Sequence, residues 1–483
     1  MDLTSEQRKA VESTSPFVGV IAGAGTGKTH LLTAKVKNLI DSGSDPRSIL
    51  LLTFTNRAAS QLREELAKVG VSRVRVGTFH SVAYSLNTDY SVMSPSRAED
   101  VAGKIAKSAK DSDQESIYKS WMRVNKQADF QFLLELLHES VMAGKLDDIK
   151  HVLIDEAQDT DIAQWAVVDL LTAKGASLFA VGDPKQQVYE WRGAKSSYFT
   201  DRIEERHVLT KSFRFGKSIA AVHNRLCPDV EEYLEGNEEA SGVWIGSSNV
   251  GDQVQSLMDD HMFAPRDIAV LCRTNFQVKL AKKSLDDAGV PFEEDASFDC
   301  AELDVLKFIC NPSSTSDRGA KLLHSLPSTH PLFGISTAQH LSRVWINKWL
   351  AHEFVVPTVH SVLCSILDGI EFSSEVMRIV ESVGDLPIRE GVAELTLGSS
   401  EIQQARHGVT VCTVHQAKGL QFPAVVAISA GVKETPEEDR VALVQATRAQ
   451  ERLHVIDNVK SPGPLSRAAW TVVLREDMED LDA

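Results

Sequence analysis

The run FVGVIAGAGTGKTHLLTAKVKNLI (17–40) decides the fold. An apolar, β-branched stretch ends in small residues, and an amphipathic stretch, LLTAKVKNLI (31–40), follows. This is strand, loop and helix in the order a P-loop requires. The small residues of AGAGTGKT (Ala22, Gly23, Ala24, Gly25, Thr26, Gly27, Lys28, Thr29) let backbone N–H groups turn toward phosphate oxygens at a helix N-terminus. Lys28 then reaches the β and γ phosphates of ATP, and Thr29 offers its hydroxyl to Mg²⁺. Ala22 departs from the glycine that usually opens the pattern.

Downstream, HVLIDEAQD (151–159) places two carboxylates at the tip of a buried strand. Asp155 is the expected second Mg²⁺ ligand, and Glu156 orients or deprotonates the attacking water, as phosphoryl transfer needs. Other short apolar runs, SILLLTF (48–54), RVRVGTF (73–79) and SLFAVGD (177–183), alternate with amphipathic stretches. That alternation is the pattern of a parallel sheet covered by helices, so the fold class is α/β. The stretch between Phe79 and His151 lacks comparable β-runs and reads as a helical insertion, from KIAKSAK and FQFLLELLHESVMAG. A second alternation begins at HVLTKSFR (207–214) and continues through GVWIG (242–246), DIAVLCRT (267–274), VTVCTV (409–414) and PAVVAIS (423–429). The expected domains are therefore 1–81 with 151–206, and 207–295 with 405–470, carrying insertions at 82–150 and 296–404. The acidic end, 471–483, is expected to fray.

Composition narrows the function. The chain has 483 residues, 43% of them hydrophobic, and a net charge of −16, so no chain-wide positive field gathers nucleic acid. A polyanion must be held by a local groove. Six widely spaced cysteines with no CxxC signal neither a zinc ribbon nor an iron–sulfur cluster, and they fit a reducing compartment. The polar start and the absence of a long apolar run argue against secretion and membrane insertion, leaving a cytoplasmic, nucleoid-associated location as the expectation. In the first insertion Lys104, Lys107, Lys110, Lys119, Arg123 and Lys126 lie among Asp111, Asp113 and Glu115, which reads as a solvated mixed-charge face.

Further segments fall in a specific order: LTSEQRKAV (3–11), AGAGTGKT, LLTFTNRAASQLREEL (51–66), GTFHS (77–81), LIDEAQDT (153–160), AVGDPKQQVYEWRGA (180–194), LTKSFRFG (209–216), VTVCTVHQAKGLQFP (409–423) and DRVALVQATRAQERL (439–453). In these the chain resembles the UvrD/Rep-type helicases of superfamily 1, over about three quarters of its length. The resemblance implies two RecA-like P-loop domains, each with an inserted subdomain. It implies that Gln7 reads the adenine edge, that Phe213 stacks on the base and that Gln421 meets the ribose. Arg214 and Arg448 match two arginines that meet the γ phosphate, a place where closure of two domains completes a charge clamp. Gln186 and His415 match positions linking the nucleotide to DNA, either as a switch in which Gln186 exchanges the γ phosphate for His415 or its surroundings, or as a satisfied polar pair in the cleft.

For DNA, the resemblance implies base platforms at Phe54, Tyr189 and Trp191, and backbone contacts from Asn56, His80, Ser81, Arg192 and His415. Three departures stand out. Gln421 replaces a glutamate, His30 replaces an arginine after GKT, and VALVQATRA lacks the usual tyrosine and glycine. The implied activity is an ATP- and Mg²⁺-dependent motor that moves 3′ to 5′ on single-stranded DNA and separates duplex at single-strand/double-strand junctions, with repair or replication proteins as partners. The rivals are a translocase or remodeller with little unwinding, which the short 296–404 insertion favours, and a DNA-binding subunit of a repair complex.

Overall fold

The computed structural model describes residues 2–293 except 94, 109, 111–112, 189–192 and 228; then 301–310, 317–326, 328 and 359–366; then 408–481 except 430–434 and 458–461. Two compact units result. One comprises Met1–Phe79, His138–Glu294 and Ala405–Ala483, and the other His80–Leu137 and Asp295–Gln404.

The first unit holds two large parallel sheets and a separate two-stranded pair. Strands run in chain order as β1 (Phe17–Ala22), β2 (Ile49–Thr53), β3 (Arg75–Thr78), β4 (Ser91–Val92), β5 (Gln127–Ala128), β6 (His151–Ile154), β7 (Ser177–Gly182) and β8 (Glu205–Leu209). They continue as β9 (Lys211–Gly216), β10 (Glu235–Asn237), β11 (Gly242–Gly246), β12 (Ile268–Cys272), β13 (Thr410–Thr413), β14 (Phe422–Ile428) and β15 (Ala449–Ile456). The first sheet has the order β3-β2-β6-β7-β1-β8 and the second β11-β15-β14-β12-β13. Both are parallel at every pairing. Helices on both faces explain why β2 (ILLLT) and β12 (IAVLC) are buried along their whole length rather than alternating. The cores follow: Val18, Val20, Leu31, Leu51, Leu153 and Phe179 in the first sheet, and Leu271, Phe422, Val425, Leu453 and Val455 on one face of the second.

Local chemistry sets the helix starts. Thr4 and Gln7 close a capping box over the Ser5–Glu12 helix, as Asp161 and Gln164 do over Ile162–Ala173. In the first sheet every strand that feeds a candidate residue does so at its carboxyl end: β1 into the P-loop, β2 into Phe54, β6 into Asp155 and β7 into Asp183. Ligands of open α/β sheets bind at that edge.

Some expectations change. The segment from His207 was expected to open the second alternation, but Glu205–Leu209 pairs with β1 and closes the first sheet. Only from β9 does the chain leave that sheet, and β9 pairs with β10 alone. β15, an interior strand of the second sheet, has no counterpart among the expected runs. The carboxyl end, expected to fray, continues the Pro464–Leu481 helix.

The second unit is mainly helical, with Pro95–Ser108, Gln114–Asn125, Ala301–Cys310, Asp317–Ser325 and Val359–Ile366 among its described elements. The two-residue strands β4 and β5 pair within it, an element its sequence did not announce. Lys126 stands 4.5 Å over the Tyr90 ring, and Arg123 stands 5.0 Å over Phe132. The lysines expected on a solvated face include three in ion pairs, Lys104–Asp100, Lys119–Glu115 and Lys126–Asp89. Most of 296–404 lies outside the described residues. Among the described residues no helix is long and apolar enough to cross a membrane.

Candidate nucleotide site and DNA-facing residues

The P-loop closes over β1 and hands the chain to the Lys28–Asp41 helix. Gly25 and Gly27 adopt φ of +75° and +82°, in the left-handed region that glycine tolerates. Space forces the first glycine as well: a Cβ on Gly25 would lie 2.4 Å from Arg214 Cβ and 2.5 Å from Ser212 Oγ. Strand β9 is hydrogen-bonded onto the loop, with Phe213 N–H donating to Gly25 O at 2.8 Å and Ser212 Oγ donating to Ala24 O at 3.1 Å. Gln7 approaches from the other side. Its Nε2 donates to Thr26 O at 2.9 Å, and its Oε1 accepts the Thr4 N–H at 3.1 Å.

Lys28 Nζ lies 3.4 Å from Glu156 Oε1. Glu156 takes φ of +51°, and the Gln158 amide donates to its other oxygen at 2.7 Å. Burial disfavours the Glu156 charge, but Lys28, Lys418, Gln158 and Arg448 outweigh it and hold its pKa below the usual carboxylate range. Asp155 is moved the opposite way. It is 8% exposed, and burial together with the Glu156 charge raises its pKa against the pull of Lys28. A divalent cation would reverse the rise at Asp155 by favouring its ionised form, so the Asp155 carboxylate and the Thr29 hydroxyl, a hard-oxygen pair, fit Mg²⁺.

Two arginines stand by this site, Arg214 on β9 and Arg448 at the entry to β15 of the second sheet. Arg448 is 3% exposed and donates to Val444 O, to Leu420 O and, at 2.8 Å, to Gln186 Oε1. Gln186 Nε2 in turn donates to Asp183 Oδ2 at 2.6 Å. Arg214 donates to Thr447 O at 2.8 Å, while its buried Nε has no hydrogen-bond partner. Burial depresses both guanidinium pKa values, Arg214 to about 9 and Arg448 to about 10, and the Arg448 charge adds to the effect on Arg214. Phosphate oxygens suit this arrangement: they would satisfy the orphaned Nε and offset two like charges held close together.

The structure pairs Gln186 with Arg448 rather than with His415. His415 sits past β13 with a contact to the Val188 backbone, its pKa lowered by burial and by the Arg273 charge. Phe213 is half exposed, at 51%, and so is no core aromatic. Gln421 is exposed at the start of β14. His30 Nε2 meets Asp2 O at 3.2 Å. Phe54 is half-buried beyond β2, and Asn56 Oδ1 accepts from Thr78 Oγ1 at 3.4 Å. His80 and Ser81 fall in the second unit, where His80 meets Phe130 edge-on at 5.1 Å between ring centres. Tyr189, Trp191 and Arg192 lie outside the described residues.

Lys418 is the residue the sequence reading missed. Its side chain, 8% exposed, pairs with Asp159, 1% exposed, and also donates to Gln186 O at 2.8 Å. It lies in HQAKGLQF, within one of the segments that carry the family resemblance, but its partner is 259 residues away in sequence. Gln158 was missed too. It bridges Glu156, Asp159 and the Asp183 N–H.

Comparison with known proteins agrees with this geometry. Residues 7–192 match the family model of an AAA domain, and 366–460 match that of a UvrD-like helicase C-terminal domain. The chain is 22% identical to DNA helicase II of Rickettsia typhi, over 94% of this chain and 91% of that protein. It is 24% identical to ATP-dependent DNA helicase PcrA of Staphylococcus aureus, over 94% and 83%, and 23% identical to PcrA of Leuconostoc citreum, over 93% and 81%. With a P-loop sheet in the first matched segment, a second parallel sheet whose last strands fall in the other, and relatives spanning nearly all of its length, the chain belongs to the UvrD/Rep-type superfamily 1 helicases.

Proposed function

We propose that the protein is an ATP-dependent DNA helicase that moves 3′ to 5′ along single-stranded DNA and separates duplex ahead of it. The observation that carries the reading is the cleft in which Lys28 and Glu156 of the first sheet face Arg214 and Arg448 beyond it, with Gln186 bonded to Arg448. In the proposed reaction Lys28 binds the β and γ phosphates, and Glu156, held ionised by its basic neighbours, accepts a proton from the attacking water. Mg²⁺, when held by Thr29 and Asp155, supplies charge neutralisation at the β and γ oxygens. Arg214 and Arg448 steady the charge that develops on the phosphoryl group. Gln7 packs the adenine side of the loop, with Phe213 and Gln421 exposed for base and ribose.

DNA enters the scheme as the partner that favours the closed cleft. Phe54, Asn56, His80, Ser81, Tyr189, Trp191, Arg192 and His415 are proposed to hold the strand, and junctions in cytoplasmic, nucleoid DNA are the proposed substrate. The test is ATP hydrolysis with and without single-stranded DNA, followed by opening of 3′-tailed and 5′-tailed duplexes. Strong stimulation and preferential opening of the 3′-tailed form are expected. Preferential opening of the 5′-tailed form would defeat the direction, and DNA-independent hydrolysis would defeat the motor.

A further inference from the structure

The helix Asn275–Asp287 follows β12 and buries Val278, Ala281 and Leu285 against the second sheet. Its opposite face combines exposed apolar and basic side chains. Phe276 is 70% exposed and Leu280 52%, and the exposed Lys279 and Lys283 lie between and beside them. At 100° per residue these four side chains fall within about a quarter of the helix circumference. Neither lysine has an ion-pair partner among the described residues, as is also true of the exposed helical Lys9, Lys107 and Lys321, while Lys37, Lys68 and Lys104 pair with Asp41, Glu65 and Asp100. What this helix adds is the exposed Phe276 and Leu280 on the same face as its free lysines.

This arrangement works against the stability of the isolated fold. Lys279 and Lys283 are like charges four residues apart, which repel on a helix surface. The acids Asp286 and Asp287 occupy the last turn, where the helix dipole favours cations. An exposed phenylalanine with unpaired lysines beside it, in a chain of net charge −16, matches a ligand that is anionic and carries flat apolar faces. The helix packs along β13, whose chain continues directly into the His415 loop, and Arg273 at its entry bonds to Glu438 and lowers the His415 pKa. The free face therefore begins beside a residue already proposed to meet the strand.

We infer that the exposed face of the 275–287 helix is a single-stranded DNA contact, with Phe276 stacking on a base and Lys279 and Lys283 meeting backbone phosphates. The inference rests on the DNA reading given above. It adds a platform on the second sheet's side to the residues proposed there.

The experiment is titration of a fluorescein-labelled oligo-dT by fluorescence anisotropy over a salt series. The proteins are wild type, Phe276→Ala, Lys279→Gln/Lys283→Gln, and Lys37→Gln as a paired-lysine control. Phe276→Ala is expected to weaken binding roughly five- to hundredfold. The double lysine variant is expected to reduce the log–log salt slope by about 1.4, at about 0.7 per phosphate contact on a single strand. DNA-free ATP hydrolysis stays at the wild-type rate in both. Cross-linking of a 4-thiothymidine oligonucleotide to the wild-type protein supplies a readout that needs no variant, and attachment within 275–287 is expected. Unchanged affinity and slope in both variants, with no cross-link in this helix, overturns the assignment and leaves the face to a protein partner. Wild-type protein that fails to bind the strand at all overturns the helicase reading and this inference with it.

Discussion

Replacing Lys418 with methionine removes the cation from a pair that is almost wholly out of water, and its effect follows from Asp159. Burial raises the Asp159 pKa to about 6 even with Lys418 beside it. Relative to an unfolded value near 3.9, the ionised acid in the native protein carries a penalty of about 3 kcal/mol. A carboxyl whose native pKa is raised gives stability that is full below about pH 4 and lost as pH climbs through about 6, and in the wild type the loss stops there. Without Lys418 the ionised form is costlier, so the acid stays neutral and the loss continues at about 1.4 kcal/mol per pH unit. The charge contribution to the destabilisation is then about 0.4 kcal/mol at pH 6, about 1.4 kcal/mol at pH 7 and about 2.7 kcal/mol at pH 8. A further loss of about 1 kcal/mol, independent of pH, comes from the bond to the Gln186 carbonyl. Urea unfolding of wild type, Lys418→Met and Lys418→Met/Asp159→Asn at these three pH values measures it. A destabilisation that stays flat from pH 6 to 8, or a pH dependence that survives Asp159→Asn, refutes the reasoning.

Other consequences are as direct. Lys28→Ala should abolish most ATP turnover, whereas Glu156→Gln should retain nucleotide binding and stop hydrolysis, as read by nucleotide fluorescence and phosphate release; turnover within a few-fold of wild type in either sinks the assigned site. Trp191→Ala should weaken single-strand binding by about 1–3 kcal/mol, with Trp121→Ala as the control; an equal loss in both, with falling melting temperatures, makes Trp191 a core residue. His454 is buried with its pKa depressed to about 4, first by burial and then by His261 and Arg452, so it stays neutral in the fold while the unfolded chain takes up a proton near pH 6.5. Its stability contribution is whole above pH 6.5 and about 3 kcal/mol is lost as pH falls to 4, a slope that His454→Gln should flatten in denaturation midpoints.

What could be read in the sequence was whatever is encoded locally. AGAGTGKT and LIDEAQD state their chemistry within a few residues, and β1, β2 and β7 are apolar enough to announce themselves. β15 was illegible because AQERLHVI carries Glu451 and Arg452 in its first half, and only Leu453, His454 and Val455 are buried in sequence. The position of β8 depends on its pairing with β1, a partner nearly two hundred residues distant, and no periodicity reports that. The Thr4–Gln7 capping box was visible as a pattern, yet the resemblance drew attention to Gln7 as a base reader and away from its place in the helix start. Lys418 and Asp159 are each ordinary charged residues until the fold buries them together.

The seating of β9 on the phosphate loop has a consequence for how the two arginines respond to ATP. Hydrogen bonds from Phe213 N–H and Ser212 Oγ, with the bare Gly25 Cα, hold the chain just before Arg214 against the loop, so on the proposed function its backbone need not travel when nucleotide arrives. Only its tip must let go of the Thr447 carbonyl and swing, a side-chain rotation that leaves the backbone in place. Arg448 is anchored to Val444 O and Leu420 O, so on the proposed function its approach to the phosphate would carry the preceding helix end and the Leu420 loop with it. The two arginines would thus answer ATP by different movements, one of a side chain and one of a backbone segment, and rapid-mixing signals from probes beside Arg214 and Arg448 should separate in time.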